Sequence, residues 1–140
     1  NFDLIGLALP FGFVIDGPPV SQQARKRERV QQWLQDVRTV AELIWPAGDL
    51  PVTEPVMATI TYFYDQASPD VDNIPKPILD ALKGLVYVDD EQVTDILCRK
   101  RKLNSDFRIE NPSRMLAERA RRGDVFLYVV VEDAVDQGVI

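Results

Sequence analysis

The sequence predicts an α/β (α+β) fold in which one mixed sheet of about four strands packs against two main helices and one short extra helix. Three observations indicate this class. The length of 140 residues is typical of a single domain with its own core, and we assign residues 1–140 to one domain. Apolar segments of strand character alternate with segments of helical period. Prolines and glycines mark the breaks between these segments.

The first part of the chain predicts a strand followed by a long helix. Residues 1–10 form an apolar lead-in that is too short for a membrane span and lacks the basic start of a signal peptide. The first strand covers about Phe11 to Asp16, and Ser21 can cap a helix that runs to about Trp45. Apolar side chains at helical spacing predict the buried stripe of this helix: Val30, Trp33, Leu34, Val37, Ala41 and Ile44.

A second strand and a short helix follow. Residues 57–64 are rich in Thr, Ile, Tyr and Phe, which favour a strand. The helix is predicted from about Asn73 to about Lys83, with Asn73 as its cap and Gly84 as its terminator. Two prolines at the start of this helix make a second choice of N-cap residue possible. If Ile74 is the cap, both prolines lie in the first turn and no hydrogen bond is lost.

The last third predicts two strands around a short basic helix. The third strand covers Gln92 to about Lys102, and the helix covers Pro112 to Arg122 and ends at Gly123. The last strand, Val125 to Glu132, is almost continuously apolar, which predicts a central position covered on both faces. We expect the tail, residues 133–140, to be loose.

Composition excludes several kinds of chemistry. The chain has no histidine, and Cys98 is its only cysteine. Histidine-dependent nucleases, Ser-His-Asp hydrolases, cysteine zinc sites and disulfide frameworks are therefore excluded. There is no glycine-rich phosphate loop or dinucleotide fingerprint, so we expect no nucleotide cofactor. Because the apolar start of the chain is too short to span a bilayer, we expect no membrane partner either.

Basic side chains are concentrated in two clusters, although the net charge of −6 argues against a general nucleic-acid binder. Such runs are most often solvated faces. Phosphate binding nevertheless depends on lysine and arginine, so DNA contact is the functional interpretation of these clusters. The candidate DNA-binding residues are Arg25, Lys26, Arg27, Arg99, Lys100, Arg101 and Lys102.

Carboxylates gather around the second predicted helix. Asp70 and Asp72 are two residues apart, so an extended chain places them on one face. Lys76 and Asp80 continue from Asp72 at four-residue intervals, which stacks all three on one side of a helix. A second acidic pair occupies residues 89–90. Hard oxygen ligands beside a lysine are what metal-assisted phosphoryl chemistry requires.

Each of these features also has an ordinary structural explanation. Asp70 and Asp72 can be loop acids that cap the helix. Lys76 and Asp80 can be a surface ion pair worth about 0.3–0.5 kcal/mol. Residues 89–90 can form a turn before a strand. The joint spacing of all these residues favours one shared site.

The spacing also carries a family resemblance. Residues 70–82 read Asp-x-Asp-Asn-x-x-Lys-x-x-x-Asp-Ala-Leu, and residues 89–93 read Asp-Asp-x-Gln-Val. Together they resemble the signature of the RusA family of Holliday-junction resolvases. Gly-Pro-Pro-Val-Ser at 17–21 agrees with that family as well. Two features depart from it: the spacer before the second acidic pair is one residue shorter than in some members, and residues 103–122 form a longer stretch than expected.

The resemblance implies a small, homodimeric, Mg²⁺-dependent endonuclease that resolves four-way DNA junctions by paired symmetric nicks in recombination and repair. It implies that Asp70, Asp72 and Asp90 hold one or two Mg²⁺ ions, for which Mn²⁺ can substitute, and that Lys76 completes the catalytic set. Asn73, Asp80 and Asp89 are candidates to support these residues. The expected location is the cytoplasm of a bacterial cell, with a bacterial, phage or prophage origin, and association with the nucleoid during activity.

Two other functions stay open from the residues alone. One is a RusA-like module that binds DNA junctions without cutting them. The other is an acidic protein that binds metal ions and a partner but not DNA, which the net charge of −6 would suit.

Overall fold

Four strands and three α-helices make up the regular structure in the part of the chain, residues 8–67 and 69–140, that the computed structural model describes. The α+β class with one mixed sheet is therefore confirmed. Short 3₁₀ turns at Val71–Asn73 and Asp90–Gln92 flank the second helix. The elements are β1 (Phe11–Asp16), α1 (Arg27–Ile44), β2 (Val56–Tyr64), α2 (Pro75–Leu82), β3 (Val93–Lys102), α3 (Arg114–Ala120) and β4 (Phe126–Asp133).

The strand order in the sheet is β1-β4-β2-β3. β4 runs antiparallel to both β1 and β2, so its predicted central position is confirmed. β3 is an edge strand parallel to β2, with Ile60 opposite Cys98. Parallel neighbours require a crossover connection, and α2 supplies it. The crossover carries the whole predicted acidic segment along one face of the sheet.

The two faces of the sheet carry separate apolar clusters. On the first face, α1 and α2 cover buried strand residues such as Phe13, Ile60 and Val129. On the second face, Phe63, Phe126 and Leu116 of α3 form a smaller cluster. The rings of Phe63 and Phe126 stack with their centroids 4.5 Å apart. Helices therefore cover the first face more completely than the second.

α1 begins at Arg27, so the prediction that Ser21 caps it was wrong. The hydroxyl of Ser21 instead accepts a hydrogen bond from the Gln23 N–H, and the Gln22 N–H bonds the Asn73 carbonyl. These contacts hold residues 21–26 in turns outside the helix. The predicted end is right to within one residue. Of the predicted stripe, Leu34 and Ile44 are half-buried, and the others are buried: Val30, Trp33, Val37 and Ala41.

α2 begins at Pro75 with Ile74 as its cap, which is the second of the two caps that the sequence allowed. Asn73 therefore lies outside the α-helix, in the preceding 3₁₀ turn. The helix ends at Leu82, and Gly84 follows with φ of +82°, a conformation that favours glycine. Ile74, Ile78 and Leu82 are completely buried, which fixes this helix on the sheet.

The remaining elements agree closely with the predicted ones. Gln92 belongs to a 3₁₀ turn, so β3 begins one residue later than predicted. α3 is capped by the Ser113 side chain, which accepts a hydrogen bond from the Leu116 N–H. Residues 134–140 contain no helix or strand, and their predicted looseness stays a prediction. Residues 1–7 of the lead-in lie outside the described residues. No helix in the described part of the chain is long and apolar enough to cross a membrane.

Candidate active site and nucleic-acid interface

The predicted acidic residues lie in the two 3₁₀ turns on either side of α2. Asp70 directly precedes the first turn without a capping hydrogen bond from its side chain, and Asp72 lies within the turn. Asp90 begins the second turn, directly before β3. All three carboxylates are exposed, so each can be reached by an ion or by a ligand from solvent.

Lys100 of β3 holds the segment that leads to Asp70. Its ammonium donates hydrogen bonds to the carbonyls of Ala67 and Pro69. It also lies 4.6 Å from the centre of the Tyr64 ring. Lys100, which the sequence predicted to bind DNA, is therefore bonded to groups within the protein itself. That role depends on contacts across more than thirty residues, which no local pattern predicts.

Gln92 holds the turn of Asp90 in a similar way. Its side-chain amide donates to the carbonyls of Val52 and Glu54, and its Oε1 accepts from the N–H groups of Val88 and Asp89. The Asp89 side chain completes a capping box by accepting from the backbone N–H of Gln92. The structural importance of Gln92 was missed from the sequence. The Asp-x-x-Gln spacing of a capping box was the available signal.

Lys76 pairs with Asp80 across one turn of α2, with Nζ 2.6 Å from Oδ1. The pKa of Lys76 is raised, first by this hydrogen bond and then by the charges of Asp80 and Asp90, against partial burial and the charge of Lys83. Lys76 is therefore a cation bonded to Asp80 and within electrostatic range of Asp90.

Lys83 is a further member of the site that sequence reasoning missed. Its ammonium lies 3.3 Å from an Asp89 oxygen and 3.7 Å from an Asp90 oxygen. The pKa of Lys83 is raised, first by the hydrogen bond to Asp89 and then by the Asp90 charge. Its position just before Gly84, at the carboxyl end of α2, also favours a cation.

Tyr87 anchors the segment between α2 and the second acidic turn. Its buried hydroxyl donates to the carbonyl of Leu79 in α2. Burial raises the pKa of Tyr87, and the nearby charges of Asp90 and Asp80 raise it further. This phenol therefore stays neutral and structural. Burial also raises the pKa of the Cys98 thiol to about 11, so that side chain is a neutral thiol near pH 7.

The case for a metal site depends on the chemistry of the aspartate ligands, because the side chains do not form a ready-made coordination sphere. Within residues 8–67 and 69–140, no three or more Asp, Glu, Cys or His side chains are grouped closely enough to hold an ion. Asp70 and Asp72 have no ion-pair partner in the described chain. Mg²⁺ keeps several waters and binds through one or two carboxylates together with substrate phosphates. Asp70 and Asp72 are exposed and two residues apart in the sequence, so this pair fits that mode of binding.

The two basic clusters lie in different places. Arg25 and Lys26 precede α1 and Arg27 begins it, and all three side chains are exposed. The Gln22 N–H bonds the carbonyl of Asn73 in the first acidic turn, and Arg25 follows Gln22 by three residues. Three residues of chain span at most about 11 Å, so Arg25 stays close to that turn. In β3 the basic side chains alternate between faces. Arg99 bonds Thr61 on the α3 face, whereas Lys100 contacts the Asp70 loop.

Exposed aspartates thus flank α2, the crossover helix of a small mixed sheet, and lysines lie beside them. Hard oxygen ligands beside a cation are what metal-assisted phosphoryl chemistry requires. A model of the endodeoxyribonuclease RusA family matches residues 18–110, about two thirds of the chain. The chain therefore belongs to the RusA family, and the predicted resemblance is confirmed. The matched region spans α1, β2, α2 and β3 with both acidic turns, and it ends before α3. A search of curated proteins found no match.

Family membership supports two of the sequence predictions at a general level. The family is one of endodeoxyribonucleases, so the enzyme class is that of a nuclease and the partner is DNA.

Proposed function

We propose that this protein is a Mg²⁺-dependent, structure-selective endonuclease that resolves four-way DNA junctions by paired symmetric nicks. The observation that carries this proposal is the position of Lys76 between two acid-bearing turns in a chain of the RusA family. Lys76 has the charge of Asp90 on one side and follows the Asp70–Asp72 turn on the other.

Asp70, Asp72 and Asp90 would hold one or two Mg²⁺ ions, with Mn²⁺ as a possible substitute. When bound, Mg²⁺ supplies a water of lowered pKa and positive charge for the scissile phosphate. The three aspartates keep that charge beside α2. Lys76 offers a fixed cation to the negative charge that develops on the phosphate.

The neighbouring polar residues support this set. Asp80 holds the Lys76 ammonium, and Asp89 caps the turn that carries Asp90. The Asn73 carbonyl joins the first acidic turn to the segment before α1. These contacts fix the orientation of groups that meet the substrate, which is how preorganised sites lower a barrier.

Both basic clusters are proposed to contact the DNA. Arg25, Lys26 and Arg27 follow a segment bonded to the acidic turn, so a phosphate bound there lies next to the site of cleavage. The other cluster is in β3, where Arg99, Arg101 and Lys102 are the proposed DNA contacts, whereas the predicted contact Lys100 is bonded to the loop before Asp70.

Paired symmetric nicks need two copies of the site related by a two-fold axis, so we propose a homodimer with an isologous interface. The proposed setting is the cytoplasm of a bacterial cell, with action at the nucleoid on recombining or repaired DNA. Neither a nucleotide cofactor nor a membrane has a role in this proposal.

The deciding experiment is cleavage of a synthetic four-way junction and a matched linear duplex, with Mg²⁺ or with EDTA. We expect paired nicks in the junction only, dependent on Mg²⁺, and their loss in Asp70→Asn. Junction binding without cleavage by the wild-type protein would favour a non-cutting junction-binding module. Absence of binding at low salt would favour an acidic protein that does not contact DNA.

A further inference from the structure

A groove crosses the face of the sheet opposite α1 and α2. It has a volume of about 450 Å³ and is open to solvent. Strand residues on this face form its floor, and residues 107–113 together with α3 form its wall. The residues that matter here are Thr61, Arg99, Arg101, Arg108, Glu110 and Tyr128, all of which line it.

The wall of the groove is held in place by aromatic packing. The Phe107 ring lies 5.6 Å from the Phe63 ring, and Phe63 stacks on Phe126. The Leu103 N–H bonds the Tyr64 carbonyl, which fixes the start of the wall on β2. Much of this wall belongs to the stretch that is longer than the family resemblance predicts. The RusA family match ends at residue 110, so residues 111–113 and α3 of the wall lie outside the matched region.

The groove carries an excess of positive charge on an acidic protein. Arg99 is oriented by its bond from Nε to the Thr61 hydroxyl, 2.9 Å long. Neither Arg99 nor Arg101 has a carboxylate within 4 Å in the described chain. Arg108 pairs with Glu110 at 3.3 Å, so the groove holds three guanidinium groups and one carboxylate. Arginine is the side chain best suited to phosphate because its planar donors match phosphate oxygens.

We infer that this arginine groove, defined by Arg99, Arg101 and Arg108, binds the sugar-phosphate backbone of a DNA arm. Arg99 and Arg101 are two residues apart on an extended strand, roughly 6.6 Å, and so form a row along the edge of the sheet. Lys100, between them in the sequence, points to the opposite face of β3 and contacts the carbonyl of Pro69 in the loop before Asp70. A polyanion bound to the row therefore lies on the same edge strand that holds this loop, across the strand from it.

This inference rests on the proposed action on branched DNA, and it specifies the groove in which Arg99 and Arg101 meet the DNA and adds Arg108 to them. An acidic peptide offers carboxylates to the same guanidinium groups. DNA is favoured because the family acts on DNA and because the groove lining has three guanidinium groups against one carboxylate.

The test measures binding of a labelled four-way junction in EDTA across a salt series. Arg101→Gln with Arg108→Gln should reduce the slope of log affinity against log salt by about 1.8, since each lost phosphate contact contributes roughly 0.9. Glu110→Gln should tighten binding because it removes the only carboxylate of the groove lining. The matched control is Arg114→Gln. Arg114 is an exposed arginine on α3 that pairs with Glu118 and does not line the groove, so its slope should equal that of the wild type.

An unchanged slope in the Arg101–Arg108 double variant, with an unchanged melting temperature, would refute the arginine groove. Competition by polyglutamate together with that unchanged slope would assign the groove to an acidic protein partner instead. A wild-type protein that cuts junctions while the slope is unchanged refutes the groove alone. A groove-dependent slope in a protein that never cuts refutes the proposed nuclease and leaves the groove supported.

Discussion

Replacement of Lys76 by methionine separates the structural role of this lysine from its catalytic role. The Lys76–Asp80 pair is an exposed contact between residues four apart, with side-chain exposures of 55% and 31%. Pairs of this kind contribute about 0.3–0.5 kcal/mol to stability. Methionine keeps the length and the helix propensity of lysine, so Lys76→Met should lower the free energy of unfolding by no more than that amount.

The expected effect on cleavage is much larger. Removal of one preorganised group that meets developing charge costs on the order of 10²-fold in rate, or about 2.7 kcal/mol of transition-state stabilisation. Lys76→Arg should restore only part of the rate because guanidinium differs from ammonium in shape and reach. The large ratio between the kinetic and the structural effect identifies a cation that acts on the substrate.

The assay is single-turnover cleavage of a four-way junction at saturating protein, which separates chemistry from binding. Arg114→Met is a matched control, because Arg114 and Glu118 form an ion pair of the same spacing on α3. The control should cut at the wild-type rate. If Lys76→Met also cuts at that rate, Lys76 is only the surface partner of Asp80 and the catalytic reasoning is refuted.

Three further predictions concern the acidic turns and the one buried arginine. Asp90→Asn should abolish cleavage but keep junction binding. Asp89→Asn should reduce cleavage less, because asparagine can also cap a turn. If Asp89→Asn cuts more slowly than Asp90→Asn in a cleavage assay, the roles of the two residues are exchanged. Lys83→Met should tighten Mg²⁺ binding several-fold by calorimetry, because its ammonium no longer competes for Asp90, and unchanged affinity would count against that competition. Arg119 is 7% exposed and bonded to Asp124. Arg119→Met should lower the free energy of unfolding by about 1.5–3 kcal/mol, as measured by urea unfolding near pH 7. Arg119 lowers the pKa of Asp124, so the share of the stabilisation that comes from this pair exists above the ordinary carboxyl pKa near 3.9 and is lost as the pH falls through the lower folded value. Equal acid sensitivity of the wild type and the variant would contradict this.

The sequence predicted elements whose cause is local. β1 has the predicted bounds because its apolar run lies between a proline and a turn. The cap of α2 follows from its two prolines, which only the first turn tolerates. The predicted start of α1 was wrong because the contact that keeps residues 21–26 out of the helix is distant in sequence. The Gln22 N–H bonds the carbonyl of Asn73, which lies 51 residues further along the chain. Strand order required the same long-range information.

The candidate site shows the same division between local and distant causes. Asp70, Asp72, Lys76 and Asp90 were assigned to one site from their spacing in the sequence, and this assignment and their chemical roles stay predictions. Lys83 was missed because its contact with the second acidic pair depends on how the chain turns after Gly84. Gln92 was quoted only as part of a motif, since its bond to Val52 spans 40 residues.

The register between β2 and β3 connects these observations. Tyr62 lies opposite Lys100 in the parallel pair, which directs Lys100 to the Asp70 loop and its neighbours Arg99 and Arg101 to the groove. A slip of one residue would reverse these faces and move the Asp90 turn by about 3.3 Å relative to that loop. One edge strand therefore sets both the spacing of the two acidic turns and the position of the arginine groove.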